Sequence, residues 1–213
     1  MVTGRMIPES VAIAVMAKAP LAGYAKTRLA PALGARAAAR LHRQLTLRTL
    51  ATARAAGLGP VTLWCAPDSR HRFFRALRQR CDLELREQPQ LDLGGRMDRV
   101  FADAGGRPLL LIGTDCPILE PAHLQGAARA LCAGSDAVFI TMEDGGYFLV
   151  GLQRPVPEIF TGIEWSTGRV MAQTRARLAA LGLHWQETAR LWDIDRPDDL
   201  SRWRTLQHGP GAA

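Results

Sequence analysis

The sequence predicts an α/β fold in which a mainly parallel sheet is covered by helices on both faces. Short apolar runs alternate with longer segments of helical periodicity along nearly the whole chain. Such runs are typical of strands that are buried on both faces, and the segments between them are long enough for helical crossovers. At 213 residues the chain is long enough for one such domain and too short for two.

The first half of the chain shows this alternation. Residues 11–16 predict a buried strand, and a loop with Pro20 and Gly23 separates them from a long helix over 34–56. Glycines end that helix. The elements predicted next are a strand over 61–65, an arginine-rich helix near 69–80, a strand near 83–86, a helix near 95–104 and a strand over 109–112.

The second half continues the pattern with one irregularity. The strands predicted over 137–140 and 147–152 are too close in sequence for a helical crossover, so at least one of them should run antiparallel or leave the main sheet. Helices are predicted over 121–132 and 168–181, and a last helix is expected near the end of the chain. We expect a flexible N-terminus over 1–10, a domain over 11–205 and a flexible tail over 206–213.

The amino-acid composition indicates which classes of ligand or partner the chain could bind. A net charge of +7, from 27 Lys and Arg against 20 Asp and Glu, favours anionic ligands without choosing among them. The arginines near 69–80 fit a solvated helix face better than an RNA-binding surface, so we predict no nucleic-acid partner. No apolar run approaches the roughly 20 residues of a membrane-spanning helix, so we predict no membrane insertion. Whether the chain forms a homo-oligomer stays open.

The four cysteines lie too far apart in sequence for any Cys-x-x-Cys pattern. They are Cys65, Cys81, Cys116 and Cys132. Small buried thiols account for them more simply than a metal site does. Because the N-terminus also lacks the apolar segment of a signal peptide, we predict reduced thiols and a cytoplasmic protein.

A cationic loop follows the first strand. It carries Lys18, Lys26 and Arg28 around Gly23, just before the long helix. Cations on a flexible backbone suit a diphosphate or triphosphate, because charge and hydrogen-bond donors can surround several oxygens. The loop lacks the spacing of a Walker P-loop or of G-x-G-x-x-G. A solvent-exposed basic turn is the alternative.

The stretch LIGTDCP at 111–117 places Asp115 at the end of a strongly apolar run. A carboxylate in that position needs a cation, a cluster of donors or a proton. Magnesium suits a carboxylate that shares its coordination with phosphate oxygens. Loop amides, or the start of the helix after Pro117, could equally explain Asp115.

Two further polar segments come later in the chain. Asp193 and Asp195 are two residues apart, hence on one side of an extended chain, and could complete a divalent metal site. The sequence Glu-Asp-Gly-Gly-Tyr at 143–147 predicts a hairpin turn. Its paired glycines would also allow a ligand to approach the backbone closely, so a substrate-contacting turn is the second interpretation.

Five segments together resemble a known family. They are 18–29, 92–97, 113–117, 143–147 and Trp-Ser-Thr-Gly at 165–168. Over about residues 11–203 the chain resembles the bacterial selenodomain-associated transferases, of the nucleotide-diphospho-sugar transferase (GT-A) superfamily. It is more distantly similar to phospholactate and molybdenum cofactor guanylyltransferases. It departs from the family at Ile140-Thr141-Met142, where Gly-Pro and a small residue are usual, and at Arg196, where Thr is usual.

The resemblance implies a single-domain, Rossmann-like three-layer sandwich with a mainly parallel sheet and at least one antiparallel strand. It implies phosphate binding by Lys18, Gly23, Lys26 and Arg28. It also implies Mg²⁺ or Mn²⁺ on Asp115, joined by Asp195 or Asp193. Substrate binding would involve Gly145, Gly146, Tyr147, Trp165 and Ser166.

The function predicted from these features is magnesium-dependent transfer from a nucleotide donor to a small acceptor. The enzyme would be a nucleotidyltransferase acting on a nucleoside triphosphate or a glycosyltransferase acting on a nucleotide sugar, with Asp115 and Asp144 as catalytic residues. Asp144 is the first candidate for the general base. The alternative is a non-catalytic nucleotide-binding or partner-binding module on the same fold. A nicotinamide-dependent dehydrogenase is disfavoured because no Gly-rich fingerprint follows the first strand.

Overall fold

The computed structural model describes residues 11–208; the N-terminus over 1–10 and the part 209–213 of the tail predicted over 206–213 lie outside them. Seven strands form one sheet. They are β1 (Ala12–Lys18), β2 (Val61–Ala66), β3 (Glu84–Glu87), β4 (Leu109–Ile112), β5 (Ala137–Met142), β6 (Tyr147–Leu152) and β7 (Trp185–Leu191). Their order across the sheet is β3-β2-β1-β4-β6-β5-β7.

One strand of this sheet runs against the others. β6 pairs antiparallel with both β4 and β5, whereas every other pair of neighbouring strands is parallel. The turn between β5 and β6 is the connection that is too short for a helical crossover. The structure therefore confirms the predicted α/β fold with an antiparallel strand.

Helices connect most of the strands. They are α1 (Ala30–Leu33), α2 (Ala35–Ala55), α3 (Arg72–Cys81), α4 (Leu93–Asp103), α5 (Pro121–Cys132), α6 (Val170–Ala180) and α7 (Asp199–His208). Short 3₁₀ turns lie at Thr27–Leu29 and Pro157–Phe160.

The apolar core lies on both faces of the sheet because strand side chains alternate between the faces. On β1, Ile13 and Val15 pack with α2, α3 and α5, whereas Ala14 packs on the opposite face with α4 and α6. α7 closes one end, where Leu200 packs against Trp192 and the buried face of α2. The result is the predicted sandwich of two helical layers around a sheet.

The structure differs from the sequence-based prediction at β7 and at the C-terminal end. β7 was not predicted because it is an edge strand of sequence WQETARL, in which only Leu191 is buried and no apolar run occurs. Residues 206–208 complete helix α7, so the tail predicted from residue 206 begins inside this helix.

The four cysteines are free, and burial raises the pKa of Cys65 and Cys116 to about 12. These two thiols therefore stay protonated and are poor nucleophiles. Within residues 11–208 no helix is both long enough and apolar enough to cross a membrane.

Candidate active site

The polar loops of the sequence meet at one edge of the sheet. β1, β4 and β7 end at this edge, and the turn between β5 and β6 also lies there. After β1 the chain adds β2 and β3 on one side of the sheet, and from β4 onward it adds β5, β6 and β7 on the other side, so the strand order reverses between β1 and β4. Open parallel sheets bind ligands at the carboxyl ends of strands beside such a switch point. A cavity of about 530 Å³ opens here, a size within the roughly 300–1,000 Å³ of small-molecule sites.

Most of the predicted site residues line this cavity. They are Lys18, Lys26, Arg28, Asp115, Asp144, Gly146, Tyr147, Trp165, Ser166, Asp193 and Asp195. Gly23 and Gly145 do not line it, and their φ angles of 80° and 88° show that each serves the backbone of its own turn. A Cβ on Gly145 would collide with the carbonyl oxygen of Gly168. Gly145 therefore lets the hairpin turn touch the loop that carries Trp165 and Ser166.

Asp115 lies at the centre of the cluster of charged residues. Its Oδ2 is 2.9 Å from the Nζ of Lys26, and its side chain is 41% exposed. Its Oδ1 is buried and accepts no hydrogen bond from the described residues. The backbone N–H of Ile194 donates to the carbonyl oxygen of Asp115 at 3.0 Å, which ties the loop after β4 to the loop after β7.

Lys26 and His42 surround this carboxylate. The Lys26 side chain is only 3% exposed and donates to the carbonyl oxygen of Ile194 as well as contacting Asp115. The Nε2 of His42 lies 2.9 Å from the carbonyl oxygen of Lys18, and a carbonyl can only accept, so Nε2 carries a proton. The other ring nitrogen of His42, Nδ1, lies 3.8 Å from Asp115 Oδ1, which is too far for a hydrogen bond.

Two carboxyl groups of this cluster have opposite pKa shifts. Burial alone would raise the pKa of Asp115, but Lys26 and His42 outweigh it and hold the pKa well below its usual range. Burial raises the pKa of Asp193 to about 7; the charges of Asp115 and Asp144 add to this increase, and Lys26 opposes it. Asp115 is therefore ionised at neutral pH, whereas Asp193 holds its proton to a much higher pH than an ordinary carboxyl group.

Asp195 is paired with the cationic loop. The Nη1 of Arg28 donates to its Oδ2 at 2.5 Å. Its backbone N–H, like that of Arg196, donates to Oδ2 of Asp199 in the first turn of α7. The segment between β7 and α7 is thus held in place at the rim of the cavity.

Tyr147 and Trp165 form an aromatic wall of the cavity. Their rings meet edge to face with centroids 6.4 Å apart. The Tyr147 hydroxyl and the Trp165 Nε1 are buried, and neither has a hydrogen-bond partner among the described residues. Burial raises the pKa of Tyr147, so its hydroxyl keeps its proton. The wall therefore presents its rings to the cavity, while the two polar atoms lie beneath its surface, the Tyr147 hydroxyl beside the Thr174 side chain.

Comparison with known families identifies the chain. The family described as "Uncharacterized protein conserved in bacteria (DUF2064)" matches residues 49–167, which is more than half of the sequence. The chain belongs to the DUF2064 family. No curated protein matches the sequence.

Solved structures show the superfamily of this DUF2064 protein. A candidate nucleotide-diphospho-sugar transferase from Desulfovibrio desulfuricans G20 is 26% identical, with a TM-score of 0.84 over 96% of this chain and 90% of that chain. The match supports the predicted GT-A-like superfamily, while membership of the narrower selenodomain-associated family stays a prediction.

More distant structures share the fold. CMP:2-keto-3-deoxy-manno-octonic acid synthetase, solved with CTP, is 13% identical with a TM-score of 0.58 over 93% of this chain and 98% of that chain. Glucosyl-3-phosphoglycerate synthase from Mycobacterium tuberculosis, solved with Mn²⁺, UDP and glucosyl-3-phosphoglycerate, is 10% identical with a TM-score of 0.55 over 93% of this chain and 76% of that chain. These neighbours of the DUF2064 protein are a nucleotidyltransferase and a glycosyltransferase.

Two residues that line the cavity were not predicted from the sequence. His42 lies on the buried face of α2, where the only available signal is a polar residue between apolar neighbours. Gln88 follows β3, and its Nε2 donates to the carbonyl oxygens of Ala17 and Trp64. Neither residue belongs to a recognisable motif. Their positions depend on how distant strands and helices pack.

The residues present fit a divalent cation only in part. Among residues 11–208, no group of three or more His, Cys, Asp and Glu side chains could hold a metal ion. Asp115 supplies an unpaired buried oxygen, and Asp193 supplies a carboxyl group that neighbouring negative charges destabilise. Mg²⁺ is often bound through one or two carboxylates together with phosphate oxygens and water. The cluster fits such an ion if the nucleotide provides the remaining ligands.

The pKa of Asp193 predicts a pH-dependent effect on stability. Its folded-state pKa of about 7 exceeds the ordinary value of 3.8, so ionising Asp193 opposes folding above about pH 7, and this cost disappears below about pH 4. Asp193→Asn should therefore raise the free energy of unfolding by about 1–3 kcal/mol at pH 8.5, with little gain at pH 4. Urea denaturation at both pH values measures this. Asp198→Asn, which changes an exposed carboxylate, is the control, and an equal gain at both pH values would refute the prediction.

Proposed function

We propose that this chain is a metal-dependent transferase that moves a nucleotidyl or glycosyl group from a nucleotide donor to a small acceptor. The observation that carries the proposal is the contact between Lys26 and the ionised Asp115 at the switch point of the sheet. This contact joins a cationic loop, suited to phosphates, to a carboxylate suited to a cation. The CTP and the UDP with Mn²⁺ in the two distant structural neighbours support it.

The cationic loop would hold the donor phosphates. Lys26 has three N–H donors, of which Asp115 and the Ile194 carbonyl use two. Arg28 is 54% exposed and uses one of its five donors on Asp195. Arg28 therefore keeps free donors at the cavity, Lys26 contributes its positive charge from just beneath the surface, and Lys18 adds a third positive charge there.

Asp115 and Asp193 would hold Mg²⁺ or Mn²⁺, while Asp195 stays with Arg28. A bound ion would neutralise charge that develops on the donor phosphates. Asp193 is the better second ligand because it is half-buried beside other carboxylates and has no ion-pair partner among the described residues. Asp195 already has Arg28 as its partner.

An acceptor oxygen would attack from the side of the hairpin turn. The α-phosphorus is the target in nucleotidyl transfer, which releases pyrophosphate, and the anomeric carbon is the target in glycosyl transfer, which releases the nucleotide. The Oδ1 of Asp144 accepts a hydrogen bond from the N–H of Gly146 at 3.0 Å. Its Oδ2 is left to take the proton from the acceptor hydroxyl.

The rings of the aromatic wall would contact the acceptor. We expect Tyr147→Phe to leave the KM for the acceptor unchanged, because the hydroxyl is buried beneath the wall and only the ring can contact the substrate. The same change should leave the free energy of unfolding unchanged or higher, since it removes a buried hydroxyl without a partner. Steady-state kinetics and urea denaturation measure the two effects. A destabilised variant would show that the hydroxyl has a structural partner instead.

A thermal-shift screen of nucleoside triphosphates and nucleotide sugars tests the proposal, because a ligand that binds the folded state raises its melting temperature. At least one nucleotide should raise the Tm, and the shift should grow when magnesium is added. The base and the donor class that give the largest shift would identify the substrate. Equal Tm values with and without every nucleotide would refute the proposal.

A further inference from the structure

A second cavity lies behind the cationic loop. It has a volume of about 700 Å³ and shares no lining residue with the active-site cavity. Three elements form its walls: the loop segment 20–22, one face of α2 and the start of α3. The proposed function does not use this cavity.

Four arginines converge on this cavity. Arg36, Arg40 and Arg43 lie at positions i, i+4 and i+7 of α2, on one side of the helix and within about 10 Å along its axis. Arg72 joins them from the first turn of α3. Within residues 11–208, none of the four forms a salt bridge. The sequence has no Asp or Glu at all from residue 10 to residue 67.

The walls of the cavity combine this charge with an apolar surface. The guanidinium of Arg43 lies 5.7 Å from the ring centroid of Phe73, a cation–π contact that limits its freedom. Leu21 is 39% exposed beside Pro20 and Ala22. A solvated helix face needs no concave surface, no exposed leucine and no stacked arginine, whereas a binding site uses all three.

We propose that this cavity binds a small molecule that carries at least two phosphate or carboxylate groups and an apolar portion. Guanidinium groups bind phosphates and carboxylates through paired hydrogen bonds, and four of them exceed the needs of a single anionic group. The occupant also contacts residues 20–22, which belong to the loop that carries Lys18 and Lys26 into the first cavity. Binding in the second cavity is thereby linked to the conformation of that loop.

Calorimetric titration with inorganic tripolyphosphate tests the proposal. We expect the wild type to bind two equivalents. The triple variant Arg36→Gln, Arg40→Gln, Arg43→Gln should lose one site, with at least tenfold weaker binding, and keep the other. The control, Arg75→Gln, Arg78→Gln, Arg80→Gln, removes the same charge from exposed positions of α3 that do not line the cavity, and it should keep both sites.

A third variant separates this site from the active site. The double variant Lys26→Gln, Arg28→Gln should lose the tripolyphosphate site in the active-site cavity and keep the site in the second cavity. If this double variant still binds two equivalents, the proposed function fails while the second site stands. Two equivalents bound by the triple variant, or equal losses in the triple variant and its control, would overturn the second site. If the wild type co-sediments with phosphatidylglycerol vesicles and no tripolyphosphate site is found in this cavity, the arginines bind a lipid surface and the proposed small-molecule site is wrong.

Discussion

Asp115→Asn is expected to abolish magnesium-dependent binding of the nucleotide. Asparagine keeps the shape of the side chain but removes the charge that pairs with Lys26 and would bind the cation. We expect the affinity for the nucleotide with magnesium to fall at least 100-fold, which corresponds to roughly 3 kcal/mol. Isothermal titration calorimetry with and without magnesium measures this change.

The same substitution has a smaller effect on the fold. Lys26 is buried and would lose its counterion, so we expect the free energy of unfolding to fall by about 1–3 kcal/mol. Asp98→Asn is the matched control, since Asp98 lies on α4 outside the cavity. If Asp115→Asn binds every nucleotide as tightly as the wild type, Asp115 has no role in binding.

Replacing both Lys26 and Arg28 with alanine should weaken nucleotide binding by at least about 3 kcal/mol, or roughly 150-fold. Each charge-assisted hydrogen bond to a phosphate is worth roughly 1.5–3 kcal/mol, and the two cations act on the same group of phosphates. Calorimetry in the absence of magnesium isolates this loss, because the cation is then not involved.

The control for this variant removes equal charge elsewhere. Arg154→Ala with Arg204→Ala changes two exposed arginines that line neither cavity. It should bind the nucleotide as the wild type does. Equal losses in both double variants would mean that the net positive charge attracts the nucleotide and that the loop has no specific contact with it.

The sequence predicted the fold well where burial dictates the pattern. β4 and β6 are continuous apolar runs, and their boundaries agree with the prediction. β7 escaped prediction because an exposed edge strand needs no apolar run, and its pairing with β5 is a tertiary contact. Local sequence thus predicts the strands that are buried on both faces better than it predicts the edge.

The individual residues of the candidate site could be predicted from the sequence, but the contacts between them could not. Asp115 and Lys26 stood out because each follows a buried strand in a polar loop. No local pattern shows that Lys26 contacts Asp115 or that Arg28 contacts Asp195 across 167 positions of the chain. These contacts arise because parallel strands distant in sequence end at the same edge of the sheet.

Group transfer from a nucleotide in the Asp115 cavity can be measured directly. ³¹P NMR can follow the nucleotide found in the thermal-shift screen, with magnesium and a mixture of small hydroxyl and phosphate acceptors. We predict that the wild type releases pyrophosphate from a triphosphate, or a nucleoside diphosphate from a nucleotide sugar, and that Asp115→Asn releases neither. A wild type that binds the nucleotide and releases neither product would contradict transfer and favour a non-catalytic nucleotide-binding module.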